Sequence, residues 1–372
     1  GGSNTAMSER ESQVGGHPNR PASDFEAVAA SASTEHAAEA FLGRQRSPLE
    51  RVQLFLHSSQ IAAPALVLLV SFVAFSVIAD NFLKPFNVSL ILQQVMIVGI
   101  LGIAQTLVIL TAGIDLSVGT MMFLSSVVMG ELAVDKGLPT FLAIAAGLAV
   151  GLACGAFNGA LVTRFRLPPF IATLGTYLIF GALTLYVSKS ETIRAQDVAD
   201  QAGALQWLGR SFDLGGMAIT WGVILMLGLF GLIWFCLNWT AWGRHVYAVG
   251  DDPQAALLSG IRTKRVLLSV YAVAGLICAI AGWALIGRAG AVAPQGLPEV
   301  NLDSITAVVI GGTSLFGGRG SVIGTLFGAV IVGVFRNGLA LAGVDVLWQN
   351  FTVGGLILVA IAADQWIRGA KA

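Results

Sequence analysis

Ten apolar runs, most of them about as long as a bilayer is thick, constrain this chain more than any other feature. A helix needs about 20 apolar residues to cross hydrocarbon. On that scale runs fall at 61–79, 88–112, 117–134, 138–163, 170–187, 219–237, 266–287, 303–316, 320–341 and 346–366. Backbone polar groups inside a bilayer must bond within the chain, so such runs become helices. The pattern predicts an all-α polytopic membrane protein with about ten transmembrane helices. Only 11% of the 372 residues are charged and 55% are apolar. A soluble domain carries roughly 25% charged residues, so a water-soluble fold is excluded. The run at 303–316, DSITAVVIGGTSLF, reaches only about 20 Å at about 1.5 Å per residue. It is either a short crossing or a re-entrant segment.

The 21 basic and 21 acidic residues balance, which argues against nucleic acid as a partner. Their placement carries more than their sum. Gly1 to Ala6 precede Met7 and read as a cloning remnant. Residues 7–50 are polar, rich in Ala, Ser and Glu, and are expected to form a disordered tail. Residues 51–372 then form the membrane domain. Arg44, Arg46 and Arg51 precede the first run and place the tail in the cytoplasm. Ten crossings from there put Arg164, Arg166, Arg244, Arg262, Lys264, Arg265, Arg319, Arg368 and Lys371 inside. Lys84, Lys136, Lys189, Arg194, Arg210 and Arg288 fall outside. This bias predicts that both termini are cytoplasmic. Two connections exceed simple turns. Residues 188–218 face outward with Trp207 as an interfacial anchor, and residues 238–265 face the cytoplasm.

Cys154, Cys236 and Cys278 lie singly in apolar runs and read as buried small hydrophobes. No metal site is expected. Gly147, Gly151, Gly155 and Gly159 recur every fourth residue, as do Gly320, Gly324 and Gly328. Small residues at this spacing let helices approach closely in lipid; tight packing within one subunit is the plainer explanation, and a pathway lining or dimer seam the sharper one. Both rows lead into Asn-Gly, at Asn158-Gly159 and Asn337-Gly338. The two helices run oppositely in this topology, which fits an inverted repeat of 4+4 helices with the first and sixth spans as extras.

Two helix breaks stand out. In GIDLSVG, Gly113 suits a helix C-cap and Asp115 or Ser117 the N-cap of the next helix. An ionisable residue at membrane depth is a functional candidate, whereas at the cytoplasmic surface Asp115 would cost little. In YAVGDDPQAALLSGI, Asp252 caps, Pro253 suits the first turn and Gly260 the stop. The product is a short exposed helix with an apolar face at Ala255, Ala256, Leu257 and Leu258, flanked by Arg244, Arg262, Lys264 and Arg265. That is suited to docking a cytoplasmic partner. Neutral hydrogen-bonding residues in or near the spans are Gln93, Gln94, Gln105, Asn158, Thr173, Thr176, Asn337, Gln349 and Asn350. With Asp115 they are the pathway candidates for a hydroxyl-rich solute, although such residues also bridge helices.

TAGIDLSVG (111–119), FNGALVTRFRLPPFIATLGT (157–176), YAVGDDPQAALLSGI (247–261) and GGTSLFGGRGSVIGTLFG (311–328) together resemble the bacterial ABC-transporter permeases for ribose, xylose, arabinose, galactose and related solutes. The resemblance runs from about Phe55 to Trp366. It implies a homodimeric permease in the bacterial inner membrane, bound to two ATP-hydrolysing subunits and fed by an extracytoplasmic sugar-binding protein. It also implies that Ala255, Ala256, Ser259, Gly260 and Ile261, with Asp252, Pro253 and Leu257 around them, couple to a cleft of the ATPase. The chain departs from the family at Gly250-Asp251-Asp252, where Gly-Gly-Asn is usual, and so adds negative charge to the docking face.

No lysine stands in the Gly-Lys-Ser/Thr context that a phosphate-binding loop requires. ATP and magnesium are thus expected in a partner, with no cofactor and no catalytic residues in this chain. Two alternatives remain open from the residues. A branched-chain amino-acid permease of the same architecture would need partners for an ammonium and a carboxylate. An ion-coupled secondary transporter would need acidic residues deep in the bundle, for which Glu131, Asp115 and Asp303 are the few candidates.

Overall fold

The computed structural model describes residues 62–297 and 299–369, without the side chains of 360 and 363–369. The remnant at 1–6, the tail at 7–50, its arginines and the C-terminal Lys371 lie outside the described residues. The expected all-α fold is observed, with thirteen α-helices and one short hairpin among the described residues. They are α1 (Ala62–Ile78), α2 (Pro85–Leu110), α3 (Val118–Gly130, extended by a π-helical turn Glu131–Asp135), α4 (Thr140–Arg164), α5 (Pro169–Val187) and α6 (Ala195–Ala202). The hairpin β1 (Ser211–Leu214) and β2 (Met217–Thr220) precedes α7 (Trp221–Trp239), α8 (Ala241–Asp251), α9 (Pro253–Leu258) and α10 (Thr263–Ala289). The chain closes with α11 (Val300–Ile310), α12 (Val322–Leu341) and α13 (Val346–Gly369).

Among the described residues seven helices are long and apolar enough to cross a membrane, and α1, α11 and part of α13 are shorter apolar helices. The uncertain run at 303–316 is resolved as a short helix. α11 ends at Ile310, and Gly312 turns the chain at φ 82° before TSLF. At about 1.5 Å per residue, its 11 residues reach only about 16 Å, well short of the roughly 30 Å of hydrocarbon. The apolar letters after it belong to a loop.

α10 is the hub, packing on α4, α2 and α3, while α12 packs on α11, α2, α1 and α13. These contacts follow a repeat. Exchanging α2 with α10, α3 with α11, α4 with α12 and α5 with α13 turns α10–α4 into α2–α12, α10–α3 into α2–α11, and α3–α5 into α11–α13, all of which pack. The extra helices α1 and α7 rest on α12 and α2. A β-carbon on Gly155 would overlap the Tyr271 carbonyl oxygen, and one on Gly328 the Ala307 carbonyl oxygen. The glycine rows are therefore close-approach seams within the subunit, the first between α4 and α10 and the second between α12 and α11. Gly320 lies ahead of α12 rather than on it. Of the three cysteines Cys278 is buried, but Cys154 and Cys236 are only half-buried.

The connections gather at two opposite ends, as alternating crossings require. At one end the Gly318 N–H donates to the Leu110 carbonyl (2.9 Å) and the Tyr247 hydroxyl to the Gly320 carbonyl (3.0 Å), joining the α2–α3 break, the α11–α12 loop and α8. At the other, Ile193 and Val292 form a β-bridge, the Gln206 amide donates to the Gly290 carbonyl (2.7 Å), and Trp207 stacks on Trp221 at 5.5 Å. Near that second end Asn87 and Asn337 exchange two amide hydrogen bonds of 2.9 Å, tying α2 to α12. Asn337→Leu would leave a buried amide unpaired at a cost of about 1–2 kcal/mol. Its thermal midpoint in detergent should fall, and Asn87→Leu in the same chain should restore most of the loss.

Candidate functional site

The α2–α3 break is built differently from its sequence expectation. Ala112, not Gly113, takes the left-handed conformation (φ 61°) that ends α2. Gly113 instead makes room for Tyr271, whose hydroxyl lies 2.7 Å from where a β-carbon would sit. Asp115 is fully buried, so it does not occupy the cheap surface position considered for it. Its Oδ1 accepts from the Ser117 N–H (2.7 Å) and hydroxyl (2.6 Å), and its Oδ2 from the Asn158 amide (3.3 Å). Burial pushes the Asp115 carboxyl above the usual carboxylate range, opposed by these hydrogen bonds. Thr173 Oγ1 clamps the same segment, accepting from the Leu116 N–H (3.2 Å) and donating to the Ile114 carbonyl (3.0 Å). Thr176 bonds only within its own helix, to the Thr173 carbonyl. Asp115, Asn158 and Thr173 thus act together as the rivet of a helix break.

Beside it stands α9. The Asp252 carboxylate accepts from the Gln254 and Ala255 N–H groups at 2.8 and 3.0 Å, forming the expected cap. Gly260 closes the turn at φ 84°. The expected apolar face is divided. Ala256 is buried against the bundle, whereas Leu257 and Leu258 are 61% and 89% exposed. The anchor is therefore Ala256 and the presented surface is Leu257 and Leu258, because a helix of six residues can bury only one side. Losing an N-cap costs about 1 kcal/mol. Asp252→Ala should loosen this helix, read as faster amide exchange across 254–260, while Asp252→Asn, which still caps, should not.

A cavity of about 780 Å³ runs between α3, α5 and the segment before α11, from Thr120, whose hydroxyl donates to the Ser117 carbonyl of the break, to Gln295, with Tyr177, Thr184 and Asn301 among its walls. This falls within the roughly 300–1,000 Å³ of small-molecule pockets. A second cavity of about 280 Å³ shares Leu297 and Val300 with it. Gln94 and Gln349 line this smaller one, and Asn350 is hydrogen-bonded to its charged wall. Asn337 lies in the α2–α12 tie, Gln105 is fully buried with neither amide atom partnered among the described residues, and Gln93 is half-buried and lines neither cavity. The ten pathway candidates therefore fall into separate places rather than one channel.

Sequence reasoning named Asp303 and Asn350 but missed Arg336 and Glu299, which complete the charged wall. Arg336 on α12 pairs with Asp303 (2.6 Å) and Glu299 (2.9 Å), and its Nη1 donates to Asn350 Oδ1 (3.2 Å). A signal existed: a lone cation inside an apolar run and two acids four residues apart, one helical turn.

Comparison with known proteins agrees with this architecture. The family described as "Branched-chain amino acid transport system / permease component" matches residues 87–361. A fructose import permease protein of Rhizobium meliloti is 54% identical over 95% of this chain and 98% of its own length. A ribose import permease protein of Bacillus subtilis is 40% identical over 82% of this chain and 93% of its own. A xylose transport system permease protein of Escherichia coli is 35% identical over 76% and 86%. With ten apolar helices, a break riveted by Asp115 and the family matching most of its length, the chain belongs to this family of multi-pass permease components of transport systems.

Proposed function

We propose that this chain is the permease subunit of an importer for a monosaccharide, fructose foremost, working by alternating access powered by ATP hydrolysed in a separate subunit. The observation that carries it is similarity to a fructose import permease across nearly the whole of both chains. The family description names branched-chain amino acids, but the relatives above are named for sugars. ATP and magnesium then belong to the partner. A second copy of the chain, two ATPase subunits and an extracytoplasmic sugar-binding protein complete the assembly.

The basic loops around α9 orient that end, and both termini, toward the cytoplasm. Leu257 and Leu258 are the side chains offered to the ATPase, and the 780 Å³ cavity faces the binding protein. Of the three candidates for ion coupling, Asp303 is paired with Arg336, Asp115 is bonded into the break, and Glu131 is half-buried in the turn that extends α3 rather than deep in the bundle. Uptake of radiolabelled D-fructose into vesicles tests the proposal. Accumulation should need ATP, the ATPase and the binding protein, and should survive a protonophore. Protonophore-sensitive accumulation by the chain alone would refute it.

A further inference from the structure

The 280 Å³ cavity lies where the two halves of the repeat meet, with α2 supplying Gln94 and the second half supplying Arg288, Glu299, Asp303, Arg336 and Gln349. Among the described residues neither the Arg288 nor the Gln94 side chain makes a hydrogen bond or ion pair. Gln94 Oε1 and Arg336 Nε are too buried to meet a solute, so the groups the cavity offers are Arg288, the Gln94 amide nitrogen and the Glu299 carboxylate. The Arg336 guanidinium, bonded to Asp303 at 2.6 Å and Glu299 at 2.9 Å, fixes both carboxylates in the wall.

We propose that this cavity is a monosaccharide-binding station within the permease itself, in which sugar hydroxyls bond Arg288, the Gln94 amide nitrogen and the Glu299 carboxylate. It rests on the sugar-import proposal above. Guanidinium groups only donate and ionised carboxylates only accept, whereas a hydroxyl does both. One sugar hydroxyl can therefore bridge Arg288 to Glu299. The two arginines and two carboxylates sum to zero charge, which suits a neutral solute and offers no net attraction to an ion. Ile97, Val98 and Val332 supply an apolar wall for the C–H face of a ring. Leu297 and Val300 border both cavities, so a solute in the larger one lies next to the smaller. The station gives the permease its own check on the solute, after any made by the binding protein.

The test uses the complete importer in vesicles, with saturating binding protein, measuring radiolabelled D-fructose and D-ribose uptake alongside ATP hydrolysis. Gln94→Leu and Arg288→Gln should each lower sugar accumulated per ATP hydrolysed at least tenfold and change the fructose-to-ribose ratio. Binding-protein-stimulated hydrolysis should stay within twofold of the parent. Gln94→Asn, which keeps a shortened amide, should recover part of the loss. Should Arg288→Gln fail to reach the membrane, Arg288→Lys, which keeps the charge but not the planar fork, should lower the same ratio. An unchanged sugar-to-ATP ratio overturns the station, as does a parallel fall of uptake and hydrolysis, which would mark a structural role. If the parent complex hydrolyses ATP but accumulates neither sugar, sugar import itself fails and the station falls with it.

Discussion

Leu258→Arg is expected to abolish ATP-driven uptake while leaving the permease folded and in the membrane. Leu258 is 89% exposed at the end of a helix of six residues, so its removal takes little packing from the bundle. If α9 seats in an apolar cleft of the ATPase, a guanidinium there is desolvated without a partner, which costs several kcal/mol. One kcal/mol lost at an interface is about a fivefold loss of affinity, so the complex should not survive purification. Co-purification of the ATPase subunit with the variant measures this directly. Retention at the parental level would remove α9 from the coupling role. Ala256→Arg is the wrong test of the same idea, because Ala256 is 4% exposed and its side chain belongs to the bundle. That substitution would confuse loss of docking with loss of the loop.

Gly155→Leu should have the opposite character, destroying the fold rather than the docking. A β-carbon at Gly155 would overlap the Tyr271 carbonyl oxygen, with the Gly275 backbone N and Cα about 2.9 Å away. These are backbone atoms of the hub helix, so no side chain can rotate aside. Overpacking a core costs about 1–3 kcal/mol where side chains can adjust, and here α4 and α10 must separate instead. The cost should exceed that range, and the variant should be degraded or recovered only as aggregate. Gly175→Leu on α5, where nothing lies within 4 Å, is the matched control and should express normally. A monodisperse Gly155→Leu protein with the parental thermal midpoint would contradict the seam.

The membrane helices were legible in the sequence because lipid makes length and apolarity nearly sufficient. α2, α4, α5, α10 and α12 all start within three residues of the expected spans. The expectation failed where apolar letters continue past the end of a helix, as TSLF does after Ile310. The cap at Asp252 was legible because it depends on a side chain reaching two residues along the chain. Which side of α9 is buried was not, since that depends on a surface formed by distant helices. Asp115 illustrates the same limit. Its local Asx-type bonding to Ser117 follows from spacing, but its complete burial follows from Asn158 and Thr173, 43 and 58 residues further on. Arg336 was overlooked because its partners lie on two other helices and its own run reads as a plain span.

The central proposal is a sugar permease whose movement is driven by another subunit's ATP hydrolysis. Vesicles holding the whole importer, once with the parental ATPase and once with a subunit that binds but does not hydrolyse ATP, test this most directly. D-fructose should accumulate against its gradient only with the parental subunit. Equal accumulation with both would contradict the account.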